Sequence, residues 1–373
     1  MKKIIIVLLF ALFVNLYVPR TYALSVSAEY ACVIDAQTGR VIYEKNAHST
    51  HSMASTTKIM TALVALENGQ LNDIVTAGKN AAGTEGTSLY LKVGDKLTLS
   101  ELLYGLMLRS GNDAAIAIAE HIAGDVPKFA ELMTSRARII GAKNTSFKNP
   151  NGLDEDGHFT TAYDLAIITR EALKNENFAD IVKTKSKSIQ NGAQTVVNHN
   201  KLLNSYDGCI GVKTGYTKKT GRCLVSAAER GGVRVIAVTL NAPNDWSDHK
   251  NMLDYAFSNT LTFPLIAEGM TVNTVTVRNG ESESLELCAD RNFYLSESPD
   301  TKFKNAKINL KIPDFVTAPV KKGEIVGALE IYYKDELLDT INLIAAADIN
   351  YKDPEPHKEF FKIFKKLLVS GCQ

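Results

Sequence analysis

Near Phe263 the chain changes its pattern, and no single simple fold accommodates both halves. Before that point, apolar residues recurring every three or four positions lie between runs of β type. After it, short β-type runs alternate with turn signals such as Asn279-Gly280 and Lys321-Lys322-Gly323 as far as about Ile349. The length of 373 residues also exceeds what one hydrophobic core usually fills, so two folded domains are expected.

The first half reads as strands bracketing helices. Tyr30 to Asp35 and Arg40 to Glu44 flank Ala36-Gln37-Thr38-Gly39, a predicted hairpin. Ser55 to Glu67 carries Ile59, Leu63 and Leu66 at helical spacing and stops at Asn68-Gly69. Thr98 and Glu101 make a capping box for a helix through Leu108. Arg109-Ser110-Gly111-Asn112 breaks it, and an alanine-rich helix follows from Asp113 to Gly124. Cys209 to Thr214, Cys223 to Ala228 and Val233 to Leu240 then read as consecutive antiparallel strands. The expected fold is α/β (α+β), a sandwich of helices on a mostly antiparallel sheet. A small all-β domain with no catalytic cluster follows, a spacer or docking module.

Both termini point to export and a membrane surface. Lys2 and Lys3 precede an apolar run from Ile4 to Val18, and Thr21-Tyr22-Ala23 supplies a small-residue cleavage site. That run is short of the roughly 20 residues that span a bilayer, which favours a cleaved signal over an anchor. Val26-Ser27-Ala28 is an alternative cut point. Loss of residues 1–23 removes Lys2, Lys3 and Arg20 and no acid, taking the net charge from +1 to −2 and offering no case for nucleic acid. At the other end, Asp353-Pro354-Glu355-Pro356 leads into Phe360, Phe361, Ile363, Phe364, Leu367 and Leu368, faced by Lys358, Lys362, Lys365 and Lys366. That pattern predicts an amphipathic helix over 357–369 lying on the membrane; packing on its own protein is the alternative. The expected divisions are 1–23, 24–262, 263–350 and 351–373, with the mature protein at the outer face of the cytoplasmic membrane. Five scattered cysteines without a C-x-x-C pair or adjacent histidine read as buried thiols, not a zinc site.

Three motifs carry the chemistry. Ser55-Thr56-Thr57-Lys58 places a hydroxyl and an amine almost one turn apart, so they share a face. Beside another cation, Lys58 can lose its proton and act as a base. Ser247 and Lys250 repeat the spacing in an acid-rich stretch, read as chance. Ser110-Gly111-Asn112 sits where a break can aim a hydroxyl and an amide into a cleft. Lys-Thr-Gly occurs twice. Lys213-Thr214-Gly215 ends a β-type run and is assigned to the site; Lys219-Thr220-Gly221 reads as an exposed turn.

Together and in this order the motifs resemble the penicillin-binding proteins and serine β-lactamases. Within them the likeness is to the low-molecular-mass D-alanyl-D-alanine carboxypeptidases, including sporulation-linked members. Met53 to Ala62, Ser110 to Ala115, Asn151-Gly152-Leu153, Thr160 to Ala166 and Gly211 to Thr217 carry it. The resemblance implies that Ser55 attacks the D-Ala-D-Ala carbonyl of a peptidoglycan stem peptide, with Lys58 as its base. It implies that Ser110 passes a proton to the leaving D-alanine and that Asn112 bonds the substrate amide. Lys213 and Thr214 would hold the terminal carboxylate, the backbone N–H groups of Ser55 and Tyr216 would form the oxyanion hole, and Gly215 would belong with them to the substrate-binding residues. β-Lactams would acylate the same serine, and neither metal nor organic cofactor is required.

Two departures accompany the likeness. Asn241 to Asp248 lacks the carboxylate-binding arginine of some relatives, and Tyr216 stands where some have histidine. His158, near the expected cleft, reads as a structural loop histidine. A class A-like β-lactamase would need a deacylating glutamate, for which Glu155 is the only candidate nearby. A catalytically silent wall-binding or β-lactam-sensing protein would not need the intact motifs.

Overall fold

The computed structural model describes residues 24–297 and 306–352. The signal segment and the 357–369 helix expected from the sequence lie outside the described residues. Contacts divide the chain into two units. One takes the chain up to Val33, Tyr43–Ser226 and Ala237–Tyr255; the other takes Ile34–Ile42, Ala227–Ile236 and the chain from Ala256 on.

A five-stranded sheet has the order Val41–Lys45, Tyr30–Asp35, Val233–Leu240, Gly221–Arg230, Cys209–Thr217. Bonds from Glu29 N–H to Asn241 O and from Ala36 N–H to Arg234 O show that its two inner strands from opposite ends of the chain run antiparallel. Ala31 to Ile34 are fully buried, as suits a strand covered on both faces. Gly231 and Gly232 (φ 56° and 80°) join Gly221–Arg230 to Val233–Leu240, because a two-residue type I′ turn needs positive φ at both positions. Cys209–Thr217 is left as the edge strand.

The helix Lys58–Asn68 is buried on every side from Lys58 to Ala65. The apolar stripe expected from its sequence is therefore only part of its covered surface, and it is the centre of the helical region. It packs against Asn112–Ala123, Val126–Ile140 and Ala162–Ala172. It is preceded by a 3₁₀ turn, Ala54–Thr57, where a continuous α-helix from Ser55 was expected. The Thr56 and Thr57 hydroxyls donate back to the carbonyls of Met53 and Ala54, three residues earlier, which favours the tighter turn. The capping box forms at Thr98 and Glu101, opening Leu99–Tyr104. A π turn, Gly105–Arg109, then ends in left-handed Ser110 (φ 68°).

The second unit contains a six-stranded sheet ordered Ala306–Lys311, Ile325–Tyr333, Glu336–Ala345, Ser284–Ala289, Thr271–Arg278, Phe315–Thr317. Leu261–Ile266 pairs separately with Phe293–Glu297. Leu285, Leu287, Leu329, Ile331, Ile341 and Leu343 build its apolar core.

Candidate active site

Ser55 enters the site from a forced turn. Ala54 is left-handed (φ 48°), and Gly152 (φ 86°) lies so close that a Cβ there would sit 2.0 Å from the Ala54 carbonyl oxygen. One turn on, Lys58 is fully buried, and its Nζ lies 2.9 Å from Ser55 Oγ and 2.7 Å from Asn112 Oδ1, with a third bond to the Asn151 carbonyl. Burial first, and then the charge of Lys213, hold the Lys58 amine well below the usual lysine range, against the opposing pull of Asp113.

These three contacts fix the direction of the amine's lone pair. The Asn151 carbonyl only accepts. Asn112 Nδ2 donates to Glu85 O at 2.6 Å, which turns Oδ1, an acceptor, toward Lys58. Once Lys58 is neutral, Ser55 is the one neighbour among the three able to donate to it. In that state the hydrogen bond between the two runs from Ser55 Oγ to Lys58 Nζ.

Asn112 opens the helix Asn112–Ala123, two residues after the Ser110 break, and Ser110 is buried beside it. Asp113 is fully buried and accepts from Leu89 N–H, Leu91 N–H and Ser88 Oγ. It thereby clamps the loop whose Glu85 carbonyl orients Asn112. Nothing in Ser-x-Asn singles out Asp113; a buried acid following the motif directly was its only signal.

Lys213 is 1% exposed and donates to the Thr214 carbonyl at 3.0 Å. Burial draws its amine down to about 7. The two buried amines repel as cations, which disfavours both being charged at once. Gly215 passes the nucleophile closely: a Cβ there would lie 3.1 Å from the backbone nitrogens of both Ser55 and Thr56. Thr214 is half-buried and the Tyr216 side chain is exposed.

The structure joins Ser55, Lys58 and Asn112 directly, sets Gly215 against them, and buries Ser110 and Lys213 nearby. It leaves Ser247 and Lys250 elsewhere, on the first turns of Asp245–Ser258. The second Lys-Thr-Gly corrects the expectation of an exposed turn. Lys219 is exposed, but Thr220 is completely buried, because its hydroxyl and carbonyl serve three neighbouring side chains. His158 is a buried structural residue: Nδ1 accepts from Lys148 N–H and Nε2 donates to Thr57 Oγ1, while burial pushes its pKa down to about 4. Glu155 is an exposed loop residue bonded to Asn149. Within Asn241 to Asp248, Asp245 lies 3.9 Å from Arg222 of the strand Gly221–Arg230. Cys32, Cys209, Cys223 and Cys288 are free thiols. Among the described residues no three His, Cys, Asp or Glu side chains converge as metal ligands would.

A family model described as D-alanyl-D-alanine carboxypeptidase matches residues 18–244, and one described as the C-terminal domain of penicillin-binding protein 5 matches residues 261–351. The chain is 34% identical over 369 residues to the D-alanyl-D-alanine carboxypeptidase DacF of Bacillus subtilis, covering 94% of this chain and 95% of that one. It is 32% identical to the carboxypeptidase DacC of Escherichia coli, covering 90% of each. The solved structure of penicillin-binding protein 5 from Haemophilus influenzae superposes with a TM-score of 0.64 at 28% identity, covering 88% of this chain and 99% of that one.

Proposed function

This chain belongs to the D-alanyl-D-alanine carboxypeptidase family and is a serine-type carboxypeptidase, and from that premise we propose which residues perform the reaction. Neutral Lys58 takes the Ser55 proton as Ser55 Oγ attacks the carbonyl carbon of the penultimate D-alanine. The oxyanion so formed faces the N–H groups of Ser55 and Tyr216, a preorganised donor pair. The C–N bond then breaks, and the proton returns from Lys58 through Ser110 to the departing D-alanine nitrogen. Water attacks the Ser55 ester and gives a proton to Lys58; the ester C–O bond then breaks, Lys58 returns that proton to Ser55 Oγ, and the shortened stem peptide leaves. Charged Lys213, with Thr214, holds the terminal carboxylate, and Asn112 holds both Lys58 and the substrate amide.

The observation that carries this assignment is the Lys58 lone pair, which has only Ser55 to receive from. Intact-mass measurement with penicillin should therefore give one adduct, mapped to the peptide holding Ser55 and absent in Ser55→Ala. An adduct on Ser110 or Ser247 would sink it. A β-lactamase is not favoured: Glu155 bonds to Asn149 and has no bond to Ser55 or Lys58.

Export and attachment extend the proposal. Residues 1–23 act as a signal peptide, 24–262 as the catalytic domain, 263–350 as the β-rich domain, and 357–369 hold the enzyme on the outer face of the membrane. The support is the charge and apolar pattern of the two termini. Among the described residues no helix is long and apolar enough to cross a membrane. The mature protein should pellet with anionic liposomes at low salt and release at high salt. A truncation after Asp353 should stay soluble; equal pelleting of both refutes the anchor.

A further inference from the structure

The second Lys-Thr-Gly lies outside the machinery described above, yet Thr220 is 0% exposed. Its hydroxyl donates to Asp154 Oδ1 at 3.0 Å and accepts from Ser52 Oγ at 2.7 Å. The direction follows because the carboxylate can only accept, leaving the Ser52 proton to face Thr220. Its carbonyl accepts from His51 Nε2 at 3.0 Å. Its N–H donates to Thr217 Oγ1 at 3.0 Å and so closes the turn that begins one residue after Tyr216.

One residue therefore ties together three segments that meet at the reaction centre. His51 and Ser52 precede Ser55 by four and three residues. Asp154 lies two residues beyond Gly152, which touches Ala54. The Thr217–Thr220 turn continues the strand that carries Tyr216. Gly215 meets the Ser55 backbone by close approach, which gives the strand one fixed point. The bonds of Thr220, five residues on, supply a second fixed point. Between the two points lies the N–H of Tyr216.

We propose that Thr220 is a positioning residue: through Ser52, Asp154 and Thr217 it sets the separation of the Ser55 and Tyr216 N–H groups, and hence the oxyanion hole. This rests on the assignment of Ser55 and Tyr216 made above. The consequence is specific to a rate constant. A hole set slightly wrong leaves the encounter with substrate intact and slows the formation of the tetrahedral oxyanion.

The test is pre-steady-state acylation by penicillin of full-length enzyme, normalised to active-site titre so that unfolded protein does not count. Thr220→Val keeps the volume and removes both hydroxyl bonds. It should lower the acylation rate constant about tenfold or more, since small misplacements of reacting groups carry costs of up to about 10². The dissociation constant of the non-covalent complex should move less than about twofold, and Thr220→Ser should restore acylation to within about twofold of wild type. If Thr220→Val does not fold, the double variant Ser52→Ala/Asp154→Ala removes the same two bonds from the other side and should show the same split. Acylation at the wild-type rate in the folded variant, with only its melting temperature lowered, overturns the proposal. So does an equal loss of acylation in Lys219→Ala. Peptide mapping of the wild-type adduct is read separately: an adduct away from Ser55 refutes the underlying assignment, whereas an adduct on Ser55 with unimpaired Thr220→Val refutes only the positioning role.

Discussion

Lys213-Thr214-Gly215 and Lys219-Thr220-Gly221 are the same tripeptide, six residues apart, on either side of one turn. In the first, lysine is buried at 1% exposure while threonine is only half-covered. In the second, lysine is in water and threonine is completely buried. The glycines differ as well. Gly215 admits the strand to the Ser55 backbone, whereas Gly221 (φ 76°) approaches Asn241, where a Cβ would lie 2.3 Å from Oδ1. A motif is thus defined by what its strand faces. Where the strand meets Ser55, the lysine is enclosed; where the chain turns, the threonine of the same tripeptide fastens two loops.

The strongest way to break this contrast is to truncate the two lysines in parallel. Lys213→Ala should lower release of D-alanine from a mimic ending in D-Ala-D-Ala by at least about 10²-fold, the order lost with preorganised transition-state electrostatics. Lys219→Ala should change it by less than about twofold, because an exposed lysine without a defined partner contributes little. Equal impairment of the two would abolish the distinction.

A smaller effect sharpens it. In the proposed mechanism Lys58 works neutral and Lys213 charged. As pH rises through the depressed pKa of Lys58, the base fraction grows and kcat/KM should rise. Above about 7, Lys213 loses its proton and its hold on the carboxylate, so kcat/KM should fall. The two limbs belong to the interacting pair. Lys213→Arg, which stays charged, should retain the acid limb and show no alkaline limb below about pH 10. An alkaline limb that persists near 7 in this variant would assign it to another group.

Much of this architecture was legible before folding was considered. The Thr98–Glu101 capping box, the left-handed stop at Gly124 and the hairpin turn before Gly39 depend on residues a few positions apart, and each formed where local chemistry called for it. The π turn after Tyr104 was less legible, because its widening matters only once Ser110 must be aimed inward. Asp113 and Asn151 went unassigned for a different reason. The first acts through backbone groups of a loop about 25 residues earlier, and the second through its own carbonyl, which every residue type possesses.

What the sequence determined by itself was the local pairing of groups: Ser55 one turn before Lys58, Ser110 and Asn112 across a break, and two copies of Lys-Thr-Gly. Helical pitch and turn stereochemistry act over a few residues and leave their mark on spacing. Which Lys-Thr-Gly would meet the nucleophile, and which way the Lys58 lone pair would point, was decided only when distant segments packed. Asn112 and Asn151 come from parts of the chain 54 and 93 residues beyond Lys58, and their two acceptors leave the amine a single donor. Thr220 is buried for the same reason, since Ser52 and Asp154 lie 168 and 66 residues before it. Burial and hydrogen-bond complementarity over such separations follow from how the strand edge lies against the loops, and a strand's two-residue period carries no mark of that.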